Sequence, residues 1–153
     1  VSQVTAPPDV LRWSSRSGDH GDCVVAALEL ACGVSYETAL AASVRVCPNI
    51  LSEGMWLTEV PKAAKLLGYR VRKQRAGTFD LDESTGILHV YQSHRPIRET
   101  SHVVYLWGGR VVEPKADRRQ LWLDAGQFLK HYGYRAGALL TLHGKDDKED
   151  WYA

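Results

Sequence analysis

Residues 21–42 read GDCVVAALELACGVSYETALAA. Val24, Ala27, Leu28 and Ala31 fall at i, i+3, i+4 and i+7, which lines one face of a helix. Asp22 stands where an N-cap would, and Gly33 where a helix of this length would end. Ser35 opens a second helix with the face Tyr36, Ala39, Leu40 and Val44, closed by Pro48. A third helix follows Thr58. It carries Pro61 in its first turn, where a missing N–H is tolerated, presents Val60, Ala63, Ala64 and Leu67, and stops at Gly68.

Beyond Gly68 the period of 3.6 gives way to short apolar runs. Tyr69–Gln74 alternates as a strand, and Ile87–Tyr91 reads as another after a turn at Thr85-Gly86. His102–Trp107 and Arg110–Glu113 flank Gly108-Gly109, a two-residue hairpin signal. Asp124 and Gln127 form a capping-box pair opening a last helix, with Phe128, Leu129 and Tyr132 inward. Ala136–His143 is the final strand. Helices first and a mainly antiparallel sheet afterwards is an α+β order. The chain of 153 residues is the size of one domain. The expectation is a single domain over 1–153, with a core of about 19–143 and a polar tail over 144–153.

Composition narrows the function classes. Apolar residues make up 44% and charged residues 24%, the balance of a globular domain with a buried core. The formal net charge of +1 gives no electrostatic reason to expect nucleic acid or an anionic membrane as partner. The basic run YRVRKQR, with Arg70, Arg72, Lys73 and Arg75, reads as a solvated strand face. No apolar run approaches the roughly 20 residues that span a bilayer. The first ten residues, VSQVTAPPDV, carry neither the basic region nor the apolar run of a secretory signal. The three cysteines Cys23, Cys32 and Cys47 are odd in number and contain no CxxC pair. A reducing, cytoplasmic setting without disulfides is therefore expected. No Cys/His pair has finger-like spacing, so neither metal nor cofactor is expected.

The chemistry concentrates at Cys23. At the first turn of a helix, unpaired N–H groups and the helix dipole favour an anion and lower a thiol pKa. Cys32, at the other end of the same helix, gains nothing of this kind. His102 starts the strand SHVVYLW. With a two-residue turn Trp107 faces Arg110, and counting back Val104 faces Glu113. His102 lies two positions from Val104 on that side of the sheet, so Glu113 is its diagonal neighbour, roughly 7–8 Å away at the backbone. A Glu side chain spans that distance and can accept the imidazole N–H, the orienting role of a triad's third member. Asp117, four residues further on, is the fallback. Read one at a time, these three are a small buried Cys, a core His and a strand-end acid; together they read as a nucleophile, a base and an orienting acid.

The segment GDCVVAALELACGVSYETALAA resembles the nucleophile region of the bacteriocin-processing (double-glycine leader) peptidases and their stand-alone relatives, which are papain-like cysteine peptidases. SHVVYLWGGRVVEP resembles their histidine strand, and MWLTEVPKAAKLLGYRV is similar to a further helix followed by Gly and a strand. The resemblance runs in order over about residues 19–143. It implies a papain-like fold with Cys23 as nucleophile, His102 as general base and Glu113 in place of the usual Asp. Val24 replaces the Gly that commonly follows the Cys. Ser17 stands where the family has its oxyanion-hole Gln, and Ser17 or His20 is the replacement donor. The implied function is hydrolysis of a peptide or related amide bond, with deamidation or acyl transfer served by the same residues. The alternative is a weak or silent papain-like domain that binds a peptide or protein partner, a virion-associated one included. Trp56, Trp107, Trp122, Tyr91 and Tyr105 are the aromatic residues available to line such a groove.

Overall fold

The computed structural model describes residues 22–113 and 120–144. Helix α1 (Cys23–Cys32), helix α2 (Tyr36–Val46) and the short helix α3 (Ile50–Glu53) come first. A 3-10 turn (Leu57–Glu59) then leads into helix α4 (Val60–Leu66). Strands β1 (Tyr69–Gln74) and β2 (Thr85–Tyr91), the short helix α5 (Ile97–Thr100), strands β3 (His102–Trp107), β4 (Arg110–Glu113) and β5 (Gln120–Trp122), helix α6 (Ala125–Tyr132) and strand β6 (Arg135–Gly144) follow. The six strands form one sheet in the order β1-β6-β2-β3-β4-β5, and every pairing is antiparallel. The architecture is α+β, as the order of periodicities predicts.

Strand alternation divides the core in two. Ile87, Val103, Tyr105, Val112, Leu140 and Leu142 face α1, α2 and α4. Leu88, Val90, Val104, Leu106, Val111 and Leu139 face Phe128 and Ala125 of α6. The sheet is thus covered on both sides, by the early helices on one and by α6 on the other. α1 is the most deeply set helix: Val24 through Glu29, Ala31 and Cys32 are all buried. That exceeds the single apolar stripe read from the sequence, because α2 covers one flank and β3 another.

Several local readings are corrected. Asp22 caps nothing with its side chain; its carboxylate instead accepts a bond from the Tyr36 hydroxyl at 3.2 Å, which ties the start of α1 to the start of α2. The inward face of α2 is Tyr36, Ala39, Ala42 and Ser43. Val44 is 37% exposed, since small residues let α2 lie closer against its neighbours than the bulky stripe suggested. Thr85-Gly86 is strand and not turn. Gly86 is required by close approach: a Cβ there would sit 2.4 Å from the Leu140 carbonyl oxygen of the neighbouring strand. β6 extends to Gly144, which pairs with Tyr69. The short elements α3, α5 and β5 carry too few residues to show a period.

The hairpin forms in the expected register, with Trp107 opposite Arg110. Gly108 (φ 53°) and Gly109 (φ 83°) both occupy the left-handed region, as a type I′ turn demands. Asp124 Oδ1 accepts the Gln127 N–H at 3.0 Å and caps α6.

These contacts set two expected outcomes. Gly86→Ala forces a methyl against fixed backbone and should destabilise by about 2 kcal/mol or more. Val44→Ala, at an exposed helical site, should shift stability by less than about 0.5 kcal/mol. Urea midpoints of the two variants against the parent check both.

Candidate active site

The histidine belongs to β3 and the cysteine to α1, and the two meet at the end of the sheet. His102 shares strand parity with Val104 and Leu106, which face α6, and its ring stacks on Tyr134 with centroids 6.3 Å apart. Cys23 packs with the opposite core, under α1. Because His102 is the first residue of β3, its imidazole is reached from the other side by the first residue of α1. The Cys23 thiol and the His102 ring are hydrogen-bonded, and the backbone N–H of Val103 also donates to the sulfur. One strand thus supplies both an imidazole and a backbone donor to one sulfur.

Glu113 completes the line. Its Oε1 lies 2.8 Å from His102 Nε2. Glu113 is fully buried at 0% exposure and His102 nearly so at 8%, while Cys23 is half-buried. With Nε2 committed to Glu113, Nδ1 is the ring nitrogen left for the thiol. The array is linear: sulfur, imidazole, carboxylate.

The electrostatics follow from these contacts. Burial raises the Cys23 thiol pKa and the Glu113 charge adds to that. The His102 hydrogen bond and charge, with the Val103 N–H, overcome both and leave it below its ordinary value of 9.0. Burial alone would depress His102; its bonds to Cys23 and Glu113 and their charges raise it to about 9. The two shifts share one cause, the contact between the Cys23 thiol and the His102 ring, which lowers the first and raises the second. Cys32 lacks any such partner, and burial pushes its thiol up to about 12. The partners at the start of α1 therefore lower one cysteine, while burial alone raises the other at its end.

The structure brings Cys23, His102 and Glu113 together. Ser17 and His20, the oxyanion candidates, and Asp117, the fallback acid, lie outside the described residues. Of the aromatic residues considered for a groove, Tyr105 is core and Trp56 is exposed. Two neighbours went unread in the sequence. Tyr134 stacks on the His102 ring, and nothing in local spacing links it to a strand more than thirty residues earlier. His89 is paired with Val103 across β2 and β3; the signal was a histidine inside an otherwise apolar strand.

Helices packed on an antiparallel sheet, with a helix start facing a strand start, make an α+β fold that gathers the three side chains at one end of the sheet. Among solved structures, the chain is similar to the peptidase domain of Streptococcus ComA, a bi-functional ABC transporter involved in a quorum-sensing pathway. The TM-score is 0.55 at 19% sequence identity, over 82% of this chain and 93% of that one. No protein-family model matches the sequence, and no curated protein does. No helix among the described residues is long and apolar enough to cross a membrane.

The pKa directions fix a pH profile. Thiolate forms as pH rises through the Cys23 value, which lies below 9.0, so alkylation of Cys23 by iodoacetamide should pass half its plateau rate before that pH. His102→Ala removes the contacts that lower the value and leaves the burial that raises it. At pH 7 the rate at Cys23 should then fall at least about tenfold. Peptide mapping by mass spectrometry between pH 5 and 10 measures this.

Proposed function

We propose that this chain is a cysteine hydrolase that cleaves a peptide or related amide bond through Cys23, His102 and Glu113. The observation that carries the reading is the hydrogen-bonded line from the Cys23 thiol through His102 to the buried Glu113 carboxylate. That line sits within a fold similar to that of a peptidase domain. Each part has a chemical task. The Cys23 thiolate attacks the acyl carbon and forms a thioester after the tetrahedral intermediate collapses. His102, held as imidazolium, donates its proton to the leaving amine. It then takes a proton from water, and the resulting hydroxide equivalent releases the acid and regenerates the thiolate. Glu113 accepts the Nε2 hydrogen and keeps the ring turned with Nδ1 toward the sulfur.

The backbone N–H of Cys23, in the first turn of α1, is one donor for the developing oxyanion. Ser17 or His20 supplies the second. With Ser17 where the resembling family has Gln, a weaker second donor lowers the rate, since one lost donor is typically about 10²–10³ in turnover. The substrate in this reading is a peptide or protein; deamidation and acyl transfer would use the same three residues with a different acceptor.

The test is turnover of peptide and acyl substrates by paired variants, with thermal midpoints alongside. Cys23→Ala should abolish turnover while costing at most about 1–2 kcal/mol, because the residue is half-buried and loses one sulfur. Cys32→Ala should lower the midpoint and leave turnover intact. Glu113→Gln should cut turnover by about 10²-fold or more, its carboxylate charge being lost while its length is kept. Full turnover in Cys23→Ala removes Cys23 as nucleophile. Absence of turnover with any peptide, together with slow, alkaline labelling of Cys23, assigns the fold to peptide binding instead.

A further inference from the structure

The residue immediately before His102 is held by a second histidine. Ser101 follows the short helix α5, and both its N–H and its hydroxyl donate to the Ile97 carbonyl, at 2.7 and 2.8 Å. A hydroxyl has one hydrogen to give. The contact between His89 Nε2 and Ser101 Oγ is 3.0 Å long, and with the Ser101 hydrogen turned to the Ile97 carbonyl His89 is its donor, through Nε2–H.

The other side of the ring is equally constrained. His89 Nδ1 lies against Gly137 of β6, where an added Cβ would come within 2.5 Å of it. The pairing of β2 with β6 shifts register between Leu88 and Val90, so the irregularity falls at His89 itself. Tyr91 stacks on the ring with centroids 5.7 Å apart. A register shift, a glycine and an aromatic neighbour together seat one imidazole, whose polar contact to Ser101 reaches the residue next to His102. One residue before Ser101, Thr100 Oγ1 accepts the Gln92 N–H at 3.0 Å, so two successive residues at the end of α5 are tied to β2 and the residue that follows it.

We infer that His89 is a positioning residue for the Cys23–His102 pair. By bonding Ser101 it fixes the backbone at the start of β3, and so fixes where the His102 imidazole meets the sulfur. The inference rests on the proposed role of that pair. It has a physical basis in placement: a shift of about 1 Å in a reacting group can lower a rate by about 10²-fold, and His102 stands at a strand end, where α5 and its ties to His89 and Gln92 hold the chain upstream.

The test compares iodoacetamide labelling of Cys23 at pH 7 across the parent, His89→Leu, His89→Gln, Ser101→Ala, the His89→Leu/Ser101→Ala double variant and His102→Ala. Gln keeps an N–H donor near the position of Nε2. His89→Leu and Ser101→Ala should each slow labelling about tenfold, the double variant should lose no more than either single one, and His89→Gln should recover at least half the parent rate. A folded His89→Leu that labels at the parent rate overturns the inference. If His89→Leu does not fold, Ser101→Ala decides alone, since it removes one hydroxyl at an exposed residue; parent-rate labelling there is equally fatal. The two readings fail separately. If the parent labels no faster than His102→Ala, the pair itself is not an activated thiolate, whereas loss in His102→Ala without loss in the His89 and Ser101 variants removes only the positioning role.

Discussion

The seating of α1 over the end of β3 is the constraint on which the site depends. Neither element alone creates an unusual cysteine: a helix start offers a modest field, and a strand histidine is commonly a core residue. The packing of Val24, Ala27 and Leu28 against Val103 and Tyr105 brings the first residue of the helix to the first residues of the strand. The hydrophobic core thus does the aligning, and polar contacts act only over the last few ångströms. Burial then works in both directions. It would neutralise Cys23 and His102 if each stood alone, yet it strengthens their mutual attraction because little water remains to screen it.

Glu113 shows the same trade. A fully buried carboxylate is costly unless something offsets its desolvation. Its bond to His102 at 2.8 Å provides a cationic partner in the state where the thiol has given up its proton. Carboxylate and thiolate thus flank the imidazolium on its two nitrogens, and both raise its proton affinity. The carboxylate also opposes thiolate formation, a smaller effect than the imidazole bond because the ring lies between them. Tyr134 stacks on that ring with centroids 6.3 Å apart.

What could be read from the sequence was whatever had local periodicity or local turn chemistry. The faces of α1 and α4 are set by short-range spacing, and the hairpin register follows from two adjacent glycines. From that register alone Glu113 could be placed beside His102. The reading failed where tertiary packing decides. Val44 had the spacing of a core residue, but Ala42 and Ser43 let α2 rotate. Gly86 looked like a turn residue, but its purpose is clearance from Leu140. Asp22 had cap chemistry, but Tyr36 offered it a partner fourteen residues away. Tyr134 comes from a loop distant in sequence, and no pattern within one segment points to it; His89 shows only as a histidine inside an apolar strand, with nothing there to link it to Ser101.

The reach of the acid is also set by the hairpin. Glu113 is the diagonal neighbour of His102 across a tight two-residue turn, at a backbone separation of roughly 7–8 Å. An imidazole and a Glu carboxylate each extend about 4–5 Å from the Cα (geometric figures from standard bond lengths), so with the 2.8 Å hydrogen bond between them the pair has more reach than the gap requires. Side chains on one sheet face stand roughly perpendicular to it, and the surplus is spent in standing off the sheet. The contact is therefore made without shifting the hairpin from its Trp107–Arg110 register, and the strand pairing that places the acid is left undisturbed by the bond it makes.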